Sequence, residues 1–361
     1  MAFWAMLSRL ARGVFLKYET LILIALLVFV YRYILNGDHV RMVIDRAKRF
    51  STVQRGFDRL PATHHGPSPN ISYLEKLVFG SDRQTIQWEL KEDNIGIYSI
   101  QGRRPHMEDR YDYADDSGKS GVMFYGVYDG HGGTFASEFA EKLLSQTVLA
   151  RLNRSKYSHA TVNYSQVLIE EILSLDEKLL TVAKSNKDVA GSTAIVAILS
   201  EGELTVANVG DSRGVICDEH GSAIPMSYDH KPQLLQERRR IKKAGGFISF
   251  NGVWRVVGIL ATSRALGDFP LKEHKYIVAD PDIQTFNLNS VKPQFMILAT
   301  DGLWDMFTNE EAVQFVKDRL DEPHLGAKSL VLQAYYRGSF DNITVMVVRL
   351  GEKNGVKVKN Q

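Results

Sequence analysis

Short apolar runs punctuate the chain from Asn94 onward: "IGIYSI", "VMFYGVY", "AIVAIL", "LTVANV", "GVIC", "FMILAT" and "ITVMVV", most of them bounded by glycine, aspartate or asparagine. Runs of this length and texture read as β-strands. Helical patterns fall between some of them but do not alternate with them regularly. That disfavours a doubly wound parallel sheet and predicts an α+β fold built on antiparallel sheets. "GVICDEHGSAIP" reads as a hairpin turning near His220-Gly221. Phe135, Phe139, Leu143, Leu144 and Val148 share one face of a helix that opens after Gly133. Ala312, Val313, Val316 and Leu320 share another, with Asn309 as its expected cap and Glu310 and Glu311 in its first turn. "LLQERRRIKKAGG" predicts a third helix, ended by Gly245-Gly246.

Acids recur where these strands end. Glu108 and Asp109 follow the first, Asp129 and His131 the second, and Asp211 follows "LTVANV". Asp301 and Asp305 follow "FMILAT", and Asp341 precedes "ITVMVV". Any one of them alone is an ordinary turn residue. Strand ends of a common sheet converge in space, however, and converging carboxylates raise one another's pKa unless a cation offsets them. Oxygen donors with no cysteine among them suit magnesium or manganese better than zinc. "YDGHGG", Tyr128 to Gly133, sharpens this, because its glycines let the backbone turn and come close to a bound group. The residues alone therefore point to a two-metal hydrolase.

Bulk composition narrows the alternatives. The 361 residues are 44% hydrophobic and 24% charged, which is globular rather than disordered composition. A formal net charge of +2 argues against a nucleic-acid partner, and hence against a two-metal nuclease. The single cysteine, Cys217, excludes an internal disulfide, fits a reducing compartment and reads as a small buried apolar residue.

The amino-terminal part differs from the rest. "TLILIALLVFVY" begins an uncharged apolar stretch that Arg32 interrupts before Leu35. Its length is short for a span but tolerable in a thin bilayer, with Lys17 and Arg32 able to snorkel to the interfaces. The expected organisation is a short segment 1–19, a transmembrane signal-anchor helix 20–36, and a basic juxtamembrane segment and linker 37–91. A catalytic domain 92–350 and a polar tail 351–361 follow. Arg41, Arg46, Lys48, Arg49, Arg55 and Arg59 after the span outnumber Arg9, Arg12 and Lys17 before it, which places the large part in the cytosol. Glycosylation acceptor patterns at Asn70, Asn153, Asn163 and Asn342 bear on the same question.

"RRPHMED", "YDGHGG", "AGSTA", "ANVGDSRG", "LATSRALGD", "DGLWD" and "DNIT" occur in the order found in metal-dependent serine/threonine protein phosphatases of the type 2C class. The resemblance spans Asn94 to Arg349. The stretch "YDHKPQLLQERRRIKKAGGFISFNGVWRV" and the apolar amino terminus resemble a membrane-attached member of that family. The resemblance implies a central β-sandwich of two antiparallel sheets flanked by helices. It implies that Asp129 bridges two metal ions, Mg2+ or Mn2+, with the Gly130 carbonyl, Glu108, Asp301 and Asp341 completing the two sites. Asp211 and Asp305 match a weaker third site. Asp109 is implied to orient the attacking water, Arg104 to grip phosphate and His131 to protonate the departing alkoxide. Phosphoserine and phosphothreonine proteins, among them protein kinases, are the implied substrates. The short span makes the expected location a membrane, that of the endoplasmic reticulum before the plasma membrane. A tethered pseudophosphatase is the rival, and it should lack one or more of Asp129, Asp301 and Asp341; all are present.

Neighbouring residues carry blander expectations. Arg103 pairs with surface acids, and His106 is incidental. "ERRRIKK" is a solvated helix face rather than a dock for acidic segments. Ser192 and Thr193 hydrogen-bond in the core rather than attack.

Overall fold

The computed structural model describes residues 86–157 and 162–350. The segments expected at 1–19 and 20–36, most of 37–91 and the tail 351–361 lie outside the described residues. Among the described residues no helix is long and apolar enough to cross a membrane.

Two antiparallel sheets stack face to face. The first contains β1 (Gln87–Lys91), β2 (Ile95–Ile100), β9 (Arg213–Cys217), β10 (Ala223–Pro225), β15 (Phe295–Ala299) and β16 (Ile343–Arg349), in the order β1-β2-β16-β15-β9-β10. The second contains β3 (Arg110–Asp116), β4 (Val122–Tyr128), β7 (Ala194–Ser200), β8 (Glu203–Val209) and β14 (Asp282–Asn287), in the order β14-β8-β7-β4-β3. Three two-residue strands, β5 (Gly130–His131), β6 (Gly191–Ser192) and β13 (Leu266–Gly267), make a small separate sheet, and β11 (Ile248–Asn251) pairs with β12 (Val253–Val256) as a hairpin. The helices are α1 (Phe135–Tyr157), α2 (Tyr164–Asn186), α3 (Leu235–Lys243), α4 (Phe269–Glu273), α5 (Leu288–Val291), α6 (Asp301–Trp304), α7 (Asn309–Lys317) and α8 (Ala327–Arg337).

Period-two patterning explains why helices cover both outer faces. Met346 and Val348 of β16 turn inward, where they meet Met296 and Leu298 of β15 and Ile195, Ala197 and Tyr125 of the second sheet. Val345 and Val347 turn outward onto Val313, Val316, Leu330 and Val331 of α7 and α8. Phe124, Val196 and Ala207 of the second sheet face Leu144, Val148, Leu168 and Ile172 of α1 and α2 in the same manner. Because successive side chains on a strand point to opposite faces, each sheet buries apolar residues on both sides. The runs are therefore nearly all apolar rather than alternating.

The structure departs from the sequence reading at three points, the first being that α7 ends at Lys317, so Leu320 lies past the helix whose face it was expected to share. Gln87–Lys91, expected as linker, pairs with β2 as an edge strand, so the folded part starts earlier than residue 92. The cap of α7 is Thr308, whose hydroxyl accepts from Glu311 N–H while Glu311 reaches back to Thr308 N–H; Asn309 is the first helical residue. This is a capping box, which satisfies two helix-end donors at once.

Candidate metal centre

Of the acids singled out in the sequence, all but Asp305, which ends the short helix α6, lie where a sheet strand starts or stops. Asp129 follows β4, Asp211 follows β8, Asp301 follows β15, and Asp341 precedes β16. Glu108 and Asp109 precede β3, whose Arg110 is paired with Tyr128 at the end of β4. Burial raises the Asp129 carboxyl well above the usual range, and the charges of Asp301, Asp109, Asp341 and Asp211 push it further. Asp301 is raised by burial and by Asp211, Asp341 and Asp305, with Lys231 opposing. Asp305 is raised by burial and by Asp211 and Asp341, again against Lys231. These acids share one field, and they repel.

Among the described residues, no three acid, histidine or cysteine side chains are already drawn into a closed metal cage. Two of the protein's own cations sit among the acids. Lys231 Nζ lies 2.5 Å from Asp211 Oδ2 and 4.0 Å from Asp301 Oδ2. Burial disfavours the Lys231 charge, yet Asp211 and Asp301 hold its pKa above that of an ordinary lysine. Arg104 Nη2 lies 2.6 Å from Asp341 Oδ2. The donor set fits hard divalent cations: oxygens only, with Asp211 buried and Glu108, Asp129, Asp301 and Asp341 half-buried, and carrying more negative charge than one ammonium and one guanidinium offset. No thiol is involved, since Cys217 is buried in β9.

Two other positions are built around this set. A Cβ at Gly130 would lie 2.4 Å from the Glu108 carbonyl oxygen and 2.7 Å from Ser137 Oγ, so only glycine lets β5 pass that close. Glu108 is fixed at both ends: Oε1 accepts from Gly133 N–H at 2.7 Å, and its N–H donates to Asn342 Oδ1 at 2.8 Å. Asp109 is 1% exposed. Its Oδ2 accepts from Thr344 Oγ1 at 2.7 Å and Thr300 Oγ1 at 3.0 Å. Burial pushes the Asp109 carboxyl up to about 7 despite those hydroxyls, with Asp341 adding to the rise.

His131 Nε2 meets Asp268 Oδ2 at 2.8 Å. Burial would lower the imidazole pKa, but Asp268, with Asp211 and Glu108 behind it, raises it instead. Thr193, expected as a core hydroxyl, accepts from Asp129 N–H at 3.1 Å and pairs with Ser212 Oγ at 2.7 Å, so it anchors the loop that presents the acid. Arg103, expected to pair with surface acids, instead donates to the carbonyls of Tyr335 and Ser339 and stacks on the Tyr335 ring. His106 is exposed. In α3, Arg240 pairs with buried Glu237, whereas Arg238, Arg239, Lys242 and Lys243 are exposed, as a solvated face requires.

Sequence reasoning missed Lys231, Asp268 and Asn342. The first two stood inside the quoted motifs "YDHKP" and "LATSRALGD", which marks them as positions to inspect but not as partners of Asp211 and His131. Asn342 was read as a glycosylation acceptor. In the fold it is 3% exposed, and its amide N–H groups donate to the carbonyls of Gln101 (2.7 Å) and His106 (2.9 Å). A glycan there is incompatible with the folded chain. Asn342 instead ties the loop carrying Arg104 and Glu108 to the loop carrying Asp341. Asn342→Asp keeps the shape but sets a carboxylate oxygen against two carbonyls, and a stability loss of about 2–4 kcal/mol is expected. A urea midpoint unchanged from wild type would refute that role.

Comparison with known proteins agrees with this geometry. The profile of the family described as protein phosphatase 2C matches residues 93–343. Protein phosphatase 1L of Bos taurus is 45% identical over 100% of this chain and 99% of its own length. An Arabidopsis thaliana sequence named probable protein phosphatase 2C 59 is 45% identical over 71% of this chain and 79% of its own. The crystal structure of the serine-threonine phosphatase 2C from Toxoplasma gondii superposes with a TM-score of 0.66 at 26% identity, covering 73% of this chain and 98% of that one. A family match over most of the folded part, a relative 45% identical over the whole chain and a shared fold agree, and the chain belongs to the protein phosphatase 2C family of metal-dependent serine/threonine phosphatases.

Proposed function

We propose that this chain is a membrane-anchored phosphatase that hydrolyses phosphoserine and phosphothreonine in proteins without a covalent intermediate. The observation that carries the reading is the set of buried and half-buried, mutually repelling carboxylates at the strand ends, bordered by Arg104 and His131. Asp129 with the Gly130 carbonyl, Glu108, Asp301 and Asp341 would hold two Mg2+ or Mn2+ ions, and Asp211 with Asp305 a weaker third. Bound there, such cations offset the carboxylate charge and make water acidic enough to act as a nucleophile near neutral pH. Side chains do the rest. Arg104 supplies a planar fork of donors for phosphate oxygens. Asp109 orients the attacking water by accepting a hydrogen bond from it. A serine or threonine alkoxide leaves badly unless protonated, and His131 supplies that proton.

The rival reading, a pseudophosphatase that binds phosphoproteins without turnover, finds no missing acid to rest on. Full-length protein in detergent is expected to release phosphate from a phosphothreonine peptide with Mn2+ or Mg2+ and to stop when excess chelator is added. Full activity in chelator would sink the metal reading; no activity with either ion would favour the pseudophosphatase.

Residues 20–36 would anchor the chain in a thin membrane such as that of the endoplasmic reticulum, and the basic residues beyond them would keep the catalytic part cytosolic. There it would act on phosphoproteins such as protein kinases and oppose kinase signalling. Unchanged gel mobility after glycosidase, with protease attack on the catalytic part in intact microsomes, is expected. A mobility shift through Asn70, Asn153 or Asn163 would place that part in the lumen.

A further inference from the structure

The three shortest strands bring three motifs side by side. His131 of β5 faces Gly191 of β6, and Gly191 faces Gly267 of β13. Asp268 comes next. Its φ of 54° is left-handed, a conformation that aspartate and asparagine tolerate better than most residues. Its N–H donates to the Ala190 carbonyl at 3.1 Å. Although Asp268 precedes α4 in the cap position, its side chain makes no cap hydrogen bond. The carboxylate is 5% exposed and reaches His131 Nε2 at 2.8 Å.

The surroundings are shaped to that contact. A Cβ at Gly191 would fall 2.2 Å from Asp268 Oδ2 and 2.4 Å from His131 Nε2, so any other residue would wedge the pair apart. Behind it, buried Asp176 of α2 accepts from Gly267 N–H at 2.8 Å and from Lys272 Nζ at 2.8 Å. Lys272 Nζ also donates to the Ala265 carbonyl at 2.6 Å. The "YDGHGG" and "LATSRALGD" motifs thus meet at the His131–Asp268 hydrogen bond, with Gly191 of "AGSTA" leaving room for it.

We propose that Asp268 is the positioning residue for His131: by accepting Nε2–H it fixes the imidazole ring and leaves Nδ1 as the nitrogen that delivers the proton. This rests on the reading of His131 as the general acid. In that step the bond from phosphorus to the serine or threonine oxygen breaks with its electron pair on oxygen. Nδ1–H supplies the proton that makes the alcohol, and the neutral ring keeps Nε2–H on Asp268 until solvent returns a proton. An unheld ring would fail in proportion to how much the leaving group needs that proton.

The test compares two substrates on full-length protein with Mn2+: a phosphothreonine peptide, whose alkoxide must be protonated, and para-nitrophenyl phosphate, whose phenolate leaves unaided. Asp268→Ala is expected to lower kcat on the peptide roughly 10- to 100-fold more than on the aryl phosphate, within the range general acids contribute. Its KM for the peptide should stay within about threefold, since the ring acts on the leaving group rather than on binding. Asp268→Asn keeps the left-handed backbone and an oxygen acceptor, so a smaller, still substrate-selective loss is expected; it also serves if the alanine variant fails to fold. Equal losses on both substrates for Asp268→Asn, or none, would overturn the proposal. His131→Ala separates the two ideas. If it is substrate-selective while the Asp268 variants are not, only the positioning role falls. If it is not selective either, the general-acid reading falls and takes this one with it.

Discussion

Asp129→Asn is expected to lower turnover of a phosphothreonine peptide by more than about 100-fold, beyond the 10- to 100-fold that outer-shell changes around a metal typically cost. Asp129 sits at the point where β4 hands over to β5, and it feels the charges of four other aspartates. An amide there lacks both the charge and the second equivalent oxygen that the bridging role proposed for Asp129 would need. A second, less obvious result distinguishes ligand loss from misfolding. The metal-free protein carries its acids at the expense of stability, because their mutual repulsion is only partly offset by Lys231 and Arg104. Removing one charge relieves that repulsion. The metal-free variant should therefore melt higher than metal-free wild type, each 1 kcal/mol relieved shifting the midpoint by about 2–4 °C. Added Mn2+ should raise the midpoint of wild type far more than that of the variant. A variant that keeps the full Mn2+-induced shift, or activity within tenfold of wild type, would remove Asp129 from the bridging position.

Arg104→Ala should cost roughly 100- to 1,000-fold in kcat/KM, the range seen when one preorganised donor to a developing anion is deleted. The Arg104 side chain is 50% exposed and rests on Asp341 Oδ2 at 2.6 Å. That contact holds the guanidinium beside the acids while leaving its other edge open. Its pKa is raised: burial works against the charge, but Asp341, Asp129 and Asp301 outweigh it. Arg103 cannot substitute, because its guanidinium is committed to the carbonyls of Tyr335 and Ser339 and to the Tyr335 ring. Arg104→Lys should recover little, since a point charge cannot reproduce a bidentate fork on phosphate. Inhibition by inorganic phosphate supplies an independent readout and should weaken in both variants. Unchanged phosphate inhibition, or a lysine variant equal to wild type, would assign Arg104 to holding Asp341 alone.

Much of this molecule is legible one segment at a time. The apolar runs rich in valine and isoleucine became strands, the 3.6-residue stripes became α1 and α7, and Gly245-Gly246 closed α3, because propensity and periodicity depend on near neighbours. The acids at strand ends were visible for the same reason, and so was the order of the motifs. What each acid meets was not visible. Asp109 takes its hydroxyl partners from Thr300 and Thr344, 191 and 235 residues away, and Asn342 reaches back 241 residues to Gln101. Lys231 lies 20 residues from Asp211 but belongs to a different strand connection, and Asp268 lies 137 residues from His131. Such contacts arise when strands far apart in the chain pair in one register; a one-residue slip of β16 would turn Thr344 to the opposite face and misplace the strand-end residues beside it. Local preference sets which residues extend or coil; charge, burial and hydrogen bonding at the centre are set by which chain ends the closed sandwich brings together.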